Sequence, residues 1–309
     1  MDRVSTATIY NSLVGNLMTA QNNQVTAADQ VSSEKVATDL QGYGAQSQTL
    51  TAMQTIQAQT QTFLDQSNVI SGRLTAQDTA FTQISNAMGD ASTAISSALA
   101  TGSGANIMQS LQTAFSGVVA GLNSTYNGQY LFSGGQVNTA ATSATSMSDL
   151  TSAPSVASLF NNDQYVSSAQ IAQNTSIHTG FLASNVGTAA FNAFQSIQSY
   201  VQTNGAFGNP LTTAQTTFLE STVTTFQTAT TGITNTQAQN GMLQTQVDNT
   251  QSDLTDQSTT MQGLIGNITD ANMAQASTNL QQAQLALQAS AKVIASLQSD
   301  SLAALLPVQ

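Results

Sequence analysis

The 309-residue chain has no cysteine and no tryptophan, three prolines, one histidine and four cations, Arg3, Lys35, Arg73 and Lys292. Without cysteine there are no disulfides, thiol nucleophiles or cysteine-based metal sites. A single histidine, His178, cannot by itself supply a typical zinc site. Only 6% of the residues are charged, against about 25% in an ordinary globular domain. Fifteen acids set a formal net charge of −11. Four scattered cations cannot neutralise a phosphate backbone or hold an anionic membrane surface, which excludes nucleic acid and membrane as partners. No run of about 18 apolar residues exists, so no membrane-spanning helix is expected. The N-terminus lacks a basic region followed by an apolar core, so no secretory signal peptide is expected and export would need another route.

What is present is Gln, Ser, Thr and Asn. Uncharged polar groups can be buried at a contact, if hydrogen-bonded, at far lower desolvation cost than charges. A surface so poor in charge suits a subunit touched on many sides. The length is ample for a sizeable core or for two to three domains.

The apolar pattern is strongest at the two ends. From Met273 a seam runs through Ala276, Leu280, Ala283, Leu287, Ser290, Ile294 and Leu297. Its steps alternate three and four, so every member lies on one helix face. Ile9, Leu13, Leu17, Ala20, Ala27 and Val31 form a looser stripe of the same kind near the start. Each is a one-sided helix with nothing local to pack on. The ends are therefore expected to pack on each other or on neighbouring copies, with packing between copies favoured. The candidate assembly interface is Leu13, Leu17, Val31, Met273, Leu280, Leu287, Ile294 and Leu297.

Between the ends the layout is nested. Residues 1–40 read as helix, broken at Gln41-Gly42-Tyr43-Gly44. Residues 46–71 are mostly helix formers, and a strict heptad follows: Leu74, Gln77, Phe81, Ile84, Met88, Ala91, Ile95 and Ala98, ended by Gly102-Ser103-Gly104. A helix fits Ile107 to Tyr126. Asn127-Gly128 is a strong turn dipeptide, and Gln129–Ser133 has strand character before Gly134-Gly135. Residues 136–187 are mixed, a small partly β insert or a flexible loop. Helical pattern returns near Val186, turns at Gly205, Gly208 and Pro210, and runs on from about Thr213 to Ile268 through Leu219, Phe226, Ile233, Asn240, Leu243 and Val247. Gly263, Gly266 and Thr269-Asp270 mark a joint before the terminal helix.

The expected fold is mainly α: an elongated antiparallel helical coiled-coil rod formed by the N- and C-terminal halves, with a small partly β inserted domain. The expected division is an inner assembly domain (1–42 with 269–309), a helical rod domain (43–134 with 188–268) and an outer inserted domain (135–187). Antiparallel pairing of the two inner heptads predicts a core shared by Phe81, Ile84, Met88 and Ile95 with members of the set Phe226, Ile233, Leu243 and Val247.

Catalytic and metal readings are weak. His178 lies in Ser-Ile-His-Thr-Gly, in the least patterned region, and no G-x-S-x-G elbow occurs. Asp248, Asp253 and Asp256 are spaced five and three apart, which disperses them around a helix as a solvated face. Gly102-Ser103-Gly104-Ala105 lacks the lysine and the preceding strand of a phosphate loop. No catalysis, cofactor or metal is expected.

The nesting and the residues at both ends resemble the bacterial flagellin family, and within it the hook-associated branch at the hook–filament junction. Arg3-Val4-Ser5-Thr6, Tyr10 and Leu13 are similar to that branch's opening. Gln30-Val31-Ser32-Ser33-Glu34-Lys35-Val36 sits where the family has Q-x-S-S/T-G-K/R-x, with Glu34 in place of the glycine. Asp39-Leu40-Gln41-Gly42 stands where Asp-Asp-Pro is usual. Asn127-Gly128-Gln129-Tyr130-Leu131-Phe132-Ser133-Gly134 resembles the branch's N-G-x-Y-L-F-x-G turn. Asp270-Ala271-Asn272-Met273-Ala274, Leu280, Gln284, Leu287-Gln288-Ala289-Ser290, Ser301-Leu302 and Leu305-Leu306 follow the C-terminal pattern. The resemblance implies a homo-oligomeric helical tubular assembly whose inner tube is the terminal helices. It also implies flagellar type III export, a cytoplasmic export chaperone, and neighbouring hook-associated protein and flagellin as partners. The alternatives are a filament flagellin and, more distantly, a secreted coiled-coil effector or adhesin acting through residues 136–187.

Overall fold

The computed structural model describes the backbone of residues 2–303 and the side-chain surroundings of residues 8–296. Leu305, Leu306 and the side chains of Leu297, Leu302 and Arg3-Val4-Ser5-Thr6 lie outside that description. Helices are α1 (Asp2–Ser33), α2 (Ser47–Thr101), α3 (Ile107–Leu122), α4 (Asp149–Ser152), α5 (Ala183–Asn204), α6 (Thr213–Thr269) and α7 (Met273–Ala303). Two short antiparallel pairs join β1 (Thr125–Tyr126) to β2 (Gln129–Tyr130) and β3 (Ser168–Ala172) to β4 (Thr175–His178). The fold is mainly α with a small β part. Among the described residues no helix is long and apolar enough to cross a membrane.

The chain divides into two compact units, residues 1–59 with 257–309, and residues 60–256. In the larger unit the predicted heptad is buried throughout: Leu74, Gln77, Phe81, Ile84, Met88, Ala91, Ile95 and Ala98 all face inward. The 46–71 pattern and this heptad form one continuous helix, α2, because no glycine pair or proline interrupts them. Helix α6 tolerates its many threonines by returning hydroxyls to carbonyls four residues back, as Thr222, Thr230, Thr234, Thr245 and Thr250 do.

Side-chain amides set the direction of α6 against α2. Gln237 Nε2 donates to Asp78 at 3.0 Å, Asn240 Nδ2 to the Leu74 carbonyl at 2.9 Å, and Gln251 Nε2 to Asn68 at 3.1 Å. Partners fall in number along α2 as they rise along α6, so the helices run antiparallel, as the heptads predict. Phe81, Ile84, Met88 and Ile95 share a core with Phe226 and Ile233. Leu243 and Val247 do not join them. They pack with Ile70 and Leu74 and with Ile171 and Ile177 of the β3–β4 hairpin, in a second cluster.

Residues 135–187 have no separate apolar centre for their first half. Met147, Leu150, Leu159 and Phe160 bury into the cluster built by α3 and α5. Aromatic rings link these parts, with centroids 4.9 Å apart for Phe160–Phe191, 5.3 Å for Phe115–Phe194 and 4.8 Å for Phe194–Phe226. The Asn127-Gly128 turn is as predicted: both residues have positive φ, 49° and 77°, and they join β1 to β2. Where the loops after α2 and α5 meet, Gly104 donates to the Gly208 carbonyl at 2.9 Å. A Cβ on Gly104 would fall 2.3 Å from the Phe207 side chain, so only glycine fits there.

Met88 has no exposed surface and sits centrally in the larger core. Met88→Ala should cost about 2–5 kcal/mol in urea unfolding. A loss below about 0.5 kcal/mol would place that face in solvent.

Candidate assembly surface

The smaller unit is built on α1 packed against α7. Alanines make the close approach possible: Ala20, Ala27, Ala276 and Ala283 are buried between the helices. Leu13, Leu17, Val31, Leu280, Leu287 and Ile294 border this seam half-buried, and Met273 opens α7 with 37% exposure. The predicted stripes are thus turned toward each other inside one chain, except at Ile9, which is 51% exposed. The side chain of Leu297 lies outside the described residues.

A short non-helical joint holds the two helices at one end. Helix α1 stops at Ser33 because Glu34 takes the left-handed conformation, φ 58°. Glu34 then accepts from the Ala271 N–H at 2.9 Å, and Val36 N–H donates to Thr269 at 2.7 Å. Lys35 Nζ reaches Asp270 Oδ1 at 2.6 Å and Thr269 Oγ1 at 3.4 Å. Among the described residues this is the one ion pair. Gln30 Nε2 caps the turn by donating to the Val36 carbonyl at 3.0 Å. The hydrogen bond to Lys35 holds the Asp270 carboxyl below its ordinary range, and the same bond raises Lys35.

The surface left open is a flank of the pair that the heptad pattern does not mark. On α1, Val14, Met18 and Val25 lie about a third of a turn from the seam, Val14 half-buried and the other two exposed. Met18 is 61% and Val25 59% exposed, with Tyr10 beside them. On α7, Leu285 is 66% exposed on the face turned away from the seam, two residues from both Ala283 and Leu287. The opposite flank is a polar groove of about 580 Å³ lined by Asn16, Asn23, Gln30, Asn279, Gln282 and Ser290. A signal for the apolar flank was in the sequence, a second α1 stripe of Val14, Met18 and Val25, but the stronger seam hid it.

His178 ends β4 with an exposed side chain, and Asp248, Asp253 and Asp256 are exposed along α6. Among the described residues no group of three or more His, Cys, Asp or Glu is placed to hold a metal.

Two expectations concern the joint. Glu34→Gly should stabilise the protein by about 0.5–1 kcal/mol in thermal unfolding, because relief of left-handed strain exceeds the added unfolded-state entropy; a destabilised variant would contradict the backbone assignment. The Lys35–Asp270 pair should contribute only between the ordinary carboxylate and lysine ranges. A depressed carboxylate loses its contribution as pH falls through the folded value, and a raised lysine loses its own as pH rises through the folded value. The melting difference between the wild type and Asp270→Asn should therefore shrink at both extremes of pH, and a difference independent of pH would exclude the pair.

Residues 223–306 match the bacterial flagellin C-terminal helical region. Among the curated proteins none matches the sequence. A solved structure described as a flagellar hook-associated protein of Vibrio parahaemolyticus is similar with a TM-score of 0.60 at 12% identity, over 75% of this chain and 99% of the other. FlgL of Bacillus cereus is similar with a TM-score of 0.55 at 12% identity, over 70% of this chain and 98% of the other. At such identity the likeness is one of fold. The C-terminal helical region of the chain thus matches the bacterial flagellin model, and its fold is similar to that of the two hook-associated structures.

Proposed function

We propose that the protein is a structural, non-enzymatic subunit of the bacterial flagellum that joins hook to filament. The carrying observation is the pair of terminal helices, whose seam is closed within the chain while Tyr10, Met18 and Val25 of α1 stay uncovered. A flank of this kind on a helix pair marks a contact surface, because soluble monomers rarely leave adjoining apolar side chains open. Copies of the chain cover it in a helical tube, and Leu13, Leu17, Val31, Met273, Leu280, Leu287 and Ile294 keep the pair in the shape that presents it. The flagellin C-terminal match and the hook-associated fold support this reading. The partners are further copies, a neighbouring hook-associated protein and flagellin, with a cytoplasmic chaperone before export. The working location is extracellular, on the flagellum.

Deleting the gene should leave complete hooks without filaments, with flagellin released into the medium; normal filaments on the deletion strain would contradict the junction role. At the residue level, Val25→Asp should leave the monomer's stability within about 0.5 kcal/mol, since the position is exposed. It should abolish assembly, because a carboxylate at a closing contact loses its hydration unpaired. A Val25→Asp protein that assembles at the wild-type concentration would remove this flank from the interface.

A further inference from the structure

Residues 60–256 contain nine Asp and Glu and a single cation, Arg73. Arg73 leaves α2 at the edge of the second apolar cluster: Ile70 and Leu74, three residues before and one after it, are buried with Ile171, Ile177 and Val247. On its other side is Gly72, where the Tyr126 ring packs so closely that a Cβ would lie 2.3 Å from the hydroxyl. The Arg73 side chain is half-buried. Its Nε is buried with no acceptor among the described residues. Burial lowers the guanidinium's pKa, and no neighbouring carboxylate offsets that.

Four of the unit's nine acids are engaged elsewhere. Asp78 accepts from Gln237 and Asp65 from Gln61. Asp163 accepts from the Gly135 and Tyr165 N–H groups, and Asp149 from those of Thr145 and Ser146. A partly dehydrated cation without a counter-ion is a cost that a second molecule can remove. Guanidinium pairs bidentately with carboxylate and is among the side chains that dominate interface energies. Val69, one turn earlier on the same face, is 57% exposed and supplies an apolar contact beside the charge.

We propose that Arg73, with Val69, is an anchor between subunits that takes a carboxylate from a second copy of the chain. A second copy fits because each copy offers one unpaired guanidinium and a surplus of exposed carboxylates in the same unit, among them Asp248, Asp253 and Asp256 of α6. This rests on the self-assembly reading above and names one contact within it.

The test is assembly of purified full-length protein carrying Arg73→Gln or Arg73→Lys, followed by sedimentation at a series of salt concentrations. Arg73→Gln should melt no lower than the wild type, because it removes an unpaired charge. Its critical concentration for assembly should rise about tenfold or more, and its salt dependence should flatten. Arg73→Lys should fall between the two. A photo-crosslinking benzoylphenylalanine at position 69 should join, in the assembled state, a peptide of a second copy that contains Asp or Glu. Wild-type assembly and salt dependence in Arg73→Gln would overturn the anchor while leaving self-assembly intact, as would a crosslink to a peptide without carboxylates. A wild-type protein that never assembles would overturn both.

Discussion

In a chain with 6% charged residues, the hydrogen bond from a side-chain amide to a backbone carbonyl takes the place that ion pairs hold elsewhere. Asn240 and Gln244 both donate to the Leu74 carbonyl, at 2.9 and 3.0 Å. Gln77 reaches Thr179, Gln195 reaches Leu150 and Asn161 reaches Ala140. These bonds tie α2 to α6, α2 to the residue that follows β4, α5 to α4, and two parts of the segment between β2 and β3 to each other. Asn240 and Gln77 have no exposed surface. If α6 slipped by a heptad, Asn240 would lose its acceptor and be left buried beside apolar side chains, at a cost of about 1–3 kcal/mol. Polar residues in an otherwise apolar seam therefore specify register at some expense of stability. Their oxygens Oδ1 and Oε1 have no partner among the described residues, which is that expense in structural form.

The same chemistry suits a subunit that must be packed on several sides. Amides and hydroxyls can be covered by a neighbour without the dehydration penalty of charge. The polar groove along α1 and α7, lined by Asn16, Asn23, Asn279 and Gln282, is such a surface, and the flank of Met18 and Val25 is its apolar counterpart. Cations are used sparingly: Lys35 closes the joint with Asp270, and Arg73 stands unpaired among the described residues.

Much of the helical layout was legible because it depends on periodicity. The 74–98 heptad, the antiparallel sense of α6 and the Asn127-Gly128 turn follow from local pattern alone. The parts that were not legible depend on contacts far apart in sequence. Ile171 and Ile177 sit in a short, unremarkable hairpin, and nothing near them shows that they cover Ile70, Leu74 and Val247. Phe160, Phe191 and Phe194 become one ring cluster only once α5 folds back. Glu34 departs from the family's glycine, yet the backbone there keeps the left-handed turn that glycine favours. The α1–α7 seam was legible as a contact face. Whether another copy or the same chain fills it is a question of chain topology, which periodicity does not carry.

Immunogold electron microscopy on intact cells, with antibody raised against residues 135–187, tests the central claim most directly. Gold confined to a short band where hook meets filament is the predicted result. Gold spread along the whole filament, or absent from the flagellum, would contradict it.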